Sequence, residues 1–541
     1  MFDPERLLQY LGNPGKYQVF LYFLVASNHI AMCFNNLNMA IFGAKNPHHC
    51  KLPENVTRDA AIPNITKAYG EVTFQSCKVY TNYSSLSNLT EYCPNGWEYL
   101  GESGEKNIIM EWNLVCDDAY LNGLSTTIYF IGVMIGGLLF GTLSDKYGRR
   151  PTLLFTLWGQ MVLGVILSFL HNFIAFMVVR FFMGALLQGM QAISVALVME
   201  FCQKKHRTPA GTIFGVLWAT GIMYLAFIAW LIRDWHYIQL ALSLHSILTL
   251  SYFWLVPESL RWFSTHNKLD EAEATLLMLA KRNRVQLPFD PLGRKEESGM
   301  SGEQLQKVEV VPVKSHSALD LFKTPEMRKR SFVMGYTWLA IAVGYYGLSL
   351  NISSFAGNIY LNVFIMGAAE LPAYICSIYI LGRFGRKKPL FAYLLIGGVM
   401  CIVAAVIPAR TASGQDISIA ATVVALIGKF GMAGCFSVIF MYTSELFPTV
   451  IRNVAVGACA CMARFGGVLA PQILLLGEVT YTQVPFFIFG ALAIVAAGLT
   501  FLLPEMLDKK LPDTIEDIEQ SHVKTPPHRI ADISLHDNGN I

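Results

Sequence analysis

Three charged residues stand near the middle of long apolar stretches: Glu370, Lys429 and Arg464. A charge at bilayer depth costs ~2.5–3.5 kcal/mol even on the most lenient insertion scale, so such groups face a protein interior or a water-filled path. A Glu370–Lys429 or a Glu370–Arg464 pair offsets one cation and leaves the other over. An arginine left over in this way is a candidate receptor for a carboxylate, which its planar fork can grip with two parallel hydrogen bonds. Trp338 and Tyr345 lie seven residues apart and share one helix face, and Tyr374 follows Glu370 by four. Aromatic faces attract ammonium groups, so the combined chemistry is capture of a small amphiphilic organic ion.

Positioning these residues requires helices that cross a membrane. The chain has 541 residues, 53% hydrophobic and 15% charged, against roughly 25% charged in a soluble domain. Apolar runs of about 20 residues, the length that spans hydrocarbon, recur from end to end. Spans are expected at Tyr17–Phe42, Asn122–Leu143, Thr152–Leu170, Phe173–Met199, Pro209–Ile232, Ile238–Val256, Phe332–Leu350, Asn358–Leu381, Pro389–Ile407, Ile417–Tyr442, Val454–Leu476 and Pro485–Leu503. The fold class is an all-α polytopic membrane protein with twelve transmembrane helices. The first span carries a polar face of Asn28, His29, Asn35, Asn36 and Asn38, read either as interhelical hydrogen bonding or as the lining of a water-filled path. A net charge of +3 gives no sign of nucleic acid as a partner; the lipid bilayer is one. Short loops with Lys146, Arg149 and Arg150, with Lys204, Lys205 and Arg207, with Arg383, Arg386, Lys387 and Lys388, and with Arg452 alternate with loops poor in basic residues. This positive-inside pattern puts both termini in the cytoplasm.

The expected organisation is a cytoplasmic N-terminus (1–16), a first six-helix half (17–256), a cytoplasmic linker with short helices (257–330), a second six-helix half (331–503) and a cytoplasmic tail (504–541). Within the first half, residues 43–119 form a hydrophilic loop with four Asn-X-Ser/Thr sequons, at Asn55, Asn64, Asn82 and Asn88, and four cysteines, Cys50, Cys77, Cys93 and Cys116. These mark a glycosylated extracellular domain with two disulfides, in any of three pairings. Leu269–Arg284 in the linker has acidic residues early and basic ones late and is expected as a helix; another is expected near Asp513–Gln520. No phosphate loop, metal-ligand spacing or catalytic constellation appears, so neither enzyme activity, a metal nor a cofactor is expected.

The chain also echoes itself. Gly148 in GTLSDKYGRRP (Gly141–Pro151) and Gly385 in LGRFGRKKP (Leu381–Pro389) are 237 residues apart, Glu200 and Glu445 in two Glu-x6-Arg segments 245, and Pro257 and Pro504, each before Glu, 247. Three echoes in one order imply two homologous halves with the substrate site between them at mid-depth.

These blocks carry a resemblance. Gly141-x-Leu-x-Asp145-x-x-Gly148-Arg149-Arg150 resembles the signature loop of the major facilitator superfamily. PESLRWF (Pro257–Phe263), EWNLVC (Glu111–Cys116) and YTSELFPTVIRN (Tyr442–Asn453) resemble the solute carrier 22 family of organic ion transporters. The resemblance implies a plasma-membrane secondary transporter. It implies gating by a cytoplasmic charge network of Asp145, Arg149, Glu200, Arg207, Glu445 and Arg452, and a cavity lined by Trp338, Tyr345 and Phe436 beside Glu370, Lys429, Arg464 and Tyr374. Organic cation transporters have aspartate at the position matching Arg464, and organic anion transporters have lysine at the position matching Tyr374. The combination Arg464, Glu370 and Tyr374 is similar to the organic cation/carnitine branch. That implies zwitterionic substrates: Arg464 on the carboxylate, with Trp338, Tyr345 and Tyr374 at the ammonium end. Ile222 departs from the tyrosine of that branch. The alternatives are an organic anion exchanger using Arg464 and Lys429, and a non-transporting receptor or scaffold that works through the extracellular loop; two intact Glu-x6-Arg segments favour transport. Sodium, protons or a counter-substrate are the possible coupling partners.

Overall fold

The computed structural model describes residues 4–12, 14–66, 72–83, 89–100, 104–203, 207–288, 317–408, 410, 415–507, 509 and 511–520. Eleven helices are long and apolar enough to cross a membrane: Lys16–Phe42, Cys116–Tyr147, Arg149–Leu167, Phe173–Phe201, Ala210–Ile232, Trp235–Leu255, Pro325–Ser354, Ile359–Phe384, Lys387–Val406, Ser418–Leu446 and Arg452–Val479. The shorter Val484–Thr500 is the twelfth. They are called spans one to twelve below. The seventh begins seven residues before its expected start because Pro325 opens the helix and Glu326 sits in its first turn. Hydropathy passes over Arg328, Lys329 and Arg330, but helix geometry does not.

Polar side chains decide the irregular places. The first span is three consecutive helices, Lys16–Ala26, Asn28–Leu37 and Met39–Phe42. Ser27 at the first break returns its hydroxyl to the Leu24 carbonyl (2.7 Å), and Asn36 bonds back to Met32 (2.9 Å), the local competition that loosens a helix. Asn28 reaches Ser194 (3.3 Å) and Asn38 reaches Gln239 (3.2 Å), so these two join helices.

Glycine sets the closest packing. A Cβ on Gly132 or Gly136 of span two would stand 2.1 Å from the carbonyl oxygens of Phe181 and Ala185 in span four. Gly398 of span nine and Gly490 of span twelve press on each other's carbonyls in the same way. Small residues let backbones touch where lipid gives helices no hydrophobic reason to associate.

The loop after span one forms a cap on one face of the bundle. Its strands are short and paired antiparallel: His48–Cys50 with Trp97–Tyr99, Asn64–Thr66 with Val72–Phe74, and Lys78–Tyr80 with Thr90–Tyr92. Three-residue strands are marginal alone, and disulfides Cys50–Cys93 and Cys77–Cys116 hold them, which selects one of the three pairings. Asn55, Asn64 and Asn82 are exposed; Asn88 lies outside the described residues. On the opposite, linker face, the helix Leu269–Asn283 ends with Arg284 in the left-handed conformation and packs on the first half. Most of 289–317 lies outside the described residues, and the tail helix runs Ile515–Gln520.

The internal echoes superpose as one device used twice. Gly148 (φ +113°) and Gly385 (φ +84°) turn the chain into spans three and nine, and a Cβ there would meet Glu258 at 2.4 Å or Glu505 at 2.5 Å. Glu258 accepts the backbone N–H groups of Arg149 (3.0 Å) and Arg150 (3.1 Å). Glu505 accepts those of Arg386 (2.8 Å) and Lys387 (3.1 Å). Each carboxylate caps the positive end of a helix dipole from the other end of its own half.

The two caps differ in electrostatics. Burial pushes the Glu258 carboxyl up, aided by Glu200, against the N–H groups of Ser259, Arg150 and Arg149. At Glu505 burial also pushes up, but the N–H groups of Arg386, Met506, Leu507 and Lys387 together outweigh it and hold the carboxyl below its ordinary range. A lowered carboxyl contributes stability above its unfolded value and loses it as pH falls through the folded value; a raised one is penalised as pH rises. Glu505→Gln is therefore expected to lower the melting temperature of the purified protein at neutral pH more than Glu258→Gln does. The difference should shrink as pH falls into the carboxylate range.

Candidate functional site

Tyr345 of span seven, Glu370 of span eight and Lys429 of span ten meet in a dry centre. Glu370 is fully buried and Lys429 is 1% exposed. Lys429 Nζ lies 3.2 Å from Glu370 Oε1 and donates to the Tyr345 carbonyl (3.2 Å) and to Ser349 Oγ. The Tyr345 hydroxyl donates to Glu370 (2.9 Å), and the Tyr374 hydroxyl, one turn along span eight, also donates to it (3.1 Å). The ammonium also sits 2.8 Å from the centroid of the Tyr345 ring. With its lone pairs satisfied this way, a buried carboxylate is tolerable in a low-dielectric interior. Of the two pairings open in the sequence, the structure makes the one with lysine.

Arg464 is placed differently. It is half-buried on span eleven and faces span four, where its Nε and Nη2 donate to Gln188 Oε1 (3.2 and 2.9 Å) and Nη2 also to Gln191 Oε1 (3.4 Å). Among the described residues no carboxylate lies within ion-pair distance of it. The guanidinium thus rests on two neutral amides across the boundary between the halves. Gln188 and Gln191 went unnoticed in the sequence, yet two glutamines three residues apart in an otherwise apolar run share a helix face and were a legible signal. Arg180 in the same span is another missed cation. It is buried, stacked over Tyr129 at 4.7 Å and Phe176 at 5.7 Å, and donates to Asn38 (3.1 Å).

The aromatic residues divide into two groups. Trp338 is fully buried, donates to Thr443 (3.0 Å) and packs edge-on against Phe440 at 4.4 Å. Tyr345 and Tyr374 are buried with their hydroxyls on Glu370. Trp338, Tyr345 and Tyr374, expected at the ammonium end of the site, are thus buried, with their polar atoms turned onto Thr443 and the Glu370 carboxylate. Phe436 remains half-buried, beside Tyr345 at 5.2 Å. Two half-buried residues that the sequence did not single out join it. These are Trp218, whose indole donates to the Tyr345 hydroxyl (2.6 Å), and Tyr346, stacked edge-on against Phe130 at 4.7 Å.

The linker-face charges pair within each half. Arg149 bonds Asp145, Ser144 (2.9 Å) and Glu200 (3.4 Å), beside a cleft of about 250 Å³ that Arg261 and Trp262 also line. In the second half Arg386 grips Glu445 with both arms, at 2.8 and 2.9 Å. Arg452, expected to act with Glu445, instead donates to Thr449 (3.2 Å). The helix ends at Leu446, and the Pro448 turn carries Arg452 to the start of the next span, away from the carboxylate. The side chain of Arg207 lies outside the described residues.

Polar contacts between the halves occur at mid-depth and on the cap face. Among the described residues they include, besides Arg464 and Trp218, Gln472 to Thr127 (2.9 Å), Thr127 to the Val468 carbonyl (3.4 Å), Tyr360 to Glu105 (2.9 Å), and an ion pair of Lys45 with Glu478. Toward the linker face, Gly141, Gly382 and Gly457 have nothing within 4 Å of where a Cβ would stand. The described charges of that face, Arg149 with Glu200 and Arg386 with Glu445, pair within their own halves.

Twelve spans in two like halves about a polar centre are the architecture of a membrane transporter of the major facilitator type. The chain belongs to the sugar (and other) transporter family, whose model matches residues 65–516, and within it to solute carrier family 22, the organic ion transporters. Solute carrier family 22 member 6 of Danio rerio is 33% identical over 534 residues, which cover 95% of this chain and 93% of that one. Organic cation/carnitine transporter 2 of Homo sapiens is 31% identical over 557 residues, covering 98% and 97%. Among solved structures, the partially occluded inward-open xylose transporter XylE of E. coli is similar, with a TM-score of 0.58 and 16% identity over 91% of this chain and 100% of that one. At that identity the likeness is one of fold. Transport, not catalysis, is the family's activity.

Breaking the central pair leaves a bare charge in a dry place. Glu370→Gln is expected to cost ~3–5 kcal/mol by stranding Lys429. Glu370→Gln combined with Lys429→Met should recover much of that loss, as read by melting of the purified protein and by surface abundance.

Proposed function

We propose that this transporter carries small organic ions bearing a carboxylate, foremost zwitterions with an ammonium group, across the plasma membrane by alternating access. The observation that carries this reading is the state of Arg464, a half-buried guanidinium held by neutral amides at the boundary between the halves. A substrate carboxylate replaces weak neutral acceptors with charge-assisted ones and supplies the missing negative charge. Phe436 and Trp218, both against Tyr345, and Tyr346, against Phe130, keep half-buried faces that suit an ammonium group. Tyr345, Tyr374 and Trp338 brace those walls. Glu370 and Lys429 neutralise each other and shape the site without gripping the ligand.

In this reading the cap is the glycosylated extracellular side, both termini are cytoplasmic, and the halves stand in the inward-facing state. Asp145, Arg149, Glu200, Arg386 and Glu445 are then the inner gate in its parted arrangement, each charge held by its own half until the outward-facing state brings the two sets together. The name of the human organic cation/carnitine transporter points to the same substrate class. Carnitine itself is disfavoured by Ile222, which is buried against Gly367 without a hydroxyl to offer. Anion exchange through Arg464 and Lys429 acting together is disfavoured because Lys429 is closed onto Glu370.

The test is uptake of labelled zwitterions, organic anions and organic cations in cells expressing the wild type and Arg464→Ala at matched surface abundance. Carboxylate-bearing substrates should lose at least about tenfold in uptake, consistent with ~2–5 kcal/mol for removing one partner of a buried charge pair. Cation uptake should not fall in parallel. Equal uptake of carboxylate-bearing substrates by both proteins would sink the assignment.

A further inference from the structure

On the cap face of the first half, three potential metal ligands from separate segments converge. Glu111 lies in the short helix Ile108–Trp112, His171 in the turn between spans three and four, and His236 in the first turn of span six. Glu111 Oε1 is 3.2 Å from His171 Nδ1, Glu111 Oε2 is 3.4 Å from His236 Nε2, and one ligand atom from each of the three lies within 4.8 Å of the others. Two histidines and one carboxylate are the protein ligands of a large class of zinc sites that leave a fourth position open. Two donors held at 2.0–2.1 Å on one tetrahedral ion stand about 3.3 Å apart; each histidine already stands at that spacing from one oxygen of the Glu111 carboxylate, and a small turn of the exposed His171 brings all three donors onto one ion.

The surroundings are built as such sites are built. Asp234 Oδ1 lies 3.3 Å from His236 Nδ1. A carboxylate there holds the Nδ1–H tautomer and leaves Nε2 as the lone-pair nitrogen aimed at Glu111. That Nε2 is buried and makes no hydrogen bond, although Glu111 stands 3.4 Å away. The Trp235 indole donates to Glu111 Oε2 (2.7 Å), and the Trp112 indole donates to the His171 carbonyl (2.9 Å). Trp112 in turn packs against Trp235 and Phe176 at 5.5 and 5.0 Å. Two ligands are thus oriented by neighbours. His171, with 81% of its side chain exposed, is free to swing the last fraction of an ångström.

We propose that Glu111, His171 and His236 form a site for a divalent transition-metal ion of the zinc type, with water completing its coordination. The ion ties the last helix of the cap to the turns before spans four and six. All three ligands belong to the first half, so the ion fixes the cap on that half and leaves the boundary between halves free to move.

The test uses the full-length protein purified without a polyhistidine tag and stripped with a chelator. It is titrated with Co2+, whose visible absorption reports a tetrahedral site, and then with Zn2+ in competition. One equivalent of Co2+ should bind with a tetrahedral band that Zn2+ abolishes, and Zn2+ should raise the melting temperature. His171→Ala changes an exposed side chain and should weaken binding at least about tenfold with the metal-free melting temperature unchanged. His236→Gln should do the same for binding. Absence of the band in the wild type, or undiminished binding by His171→Ala, overturns the proposal.

Discussion

The ion pair of Lys429 with Glu370 is the interaction on which the interior depends. An isolated ion in this environment carries a desolvation penalty of several kcal/mol, so neither charge persists there alone. The pair survives because Tyr345, Tyr374 and Ser349 complete its hydrogen bonds. Meeting that need draws spans seven, eight and ten into one block and turns the Tyr345, Tyr374 and Ser349 hydroxyls onto the pair. In the proposed function, what is left for a ligand is the half-buried ring faces and the guanidinium of Arg464.

That division explains why the membrane helices were legible in the sequence while the site was legible only in part. Twelve apolar runs and the echoed glycines carry their meaning locally, because bilayer thickness and a left-handed turn constrain each position by itself. The helix-capping roles of Glu258 and Glu505 are foreshadowed by the echo of Pro-Glu at the ends of two spans. Partner choice is not local. Nothing near Glu445 says that Arg386 reaches it and Arg452 does not; that depends on where a proline turn carries the chain. For Trp338 the sequence gives the helix face but not what stands in front of that face, which is Phe440 and Thr443. The cap's strands are three residues long, too short for alternation to register, and its disulfide pairing needed coordinates.

Gln188 and Gln191 show how a neutral residue can hold a charged one in readiness. An aspartate in their place would satisfy Arg464 fully and, in the proposed function, leave a substrate carboxylate nothing to gain. An apolar residue would leave the guanidinium without a partner in the empty carrier. Amides lie between: strong enough to fix the fork's orientation, weak enough to yield to an anion.

The close glycine contacts of spans two and four, and of spans nine and twelve, have a mechanical consequence. Backbones in direct contact cannot slide without opening voids, so under the proposed alternating access each half would turn as a solid body and switching would be confined to the seam. The described polar contacts of that seam are a few neutral hydrogen bonds of ~0.5–1.5 kcal/mol, the bonds of Arg464 and Glu105 at ~1.5–3 kcal/mol each, and one partly exposed ion pair. In the proposed function a ligand of modest affinity could then tip the balance between the two faces, because the closest backbone packing lies inside each half.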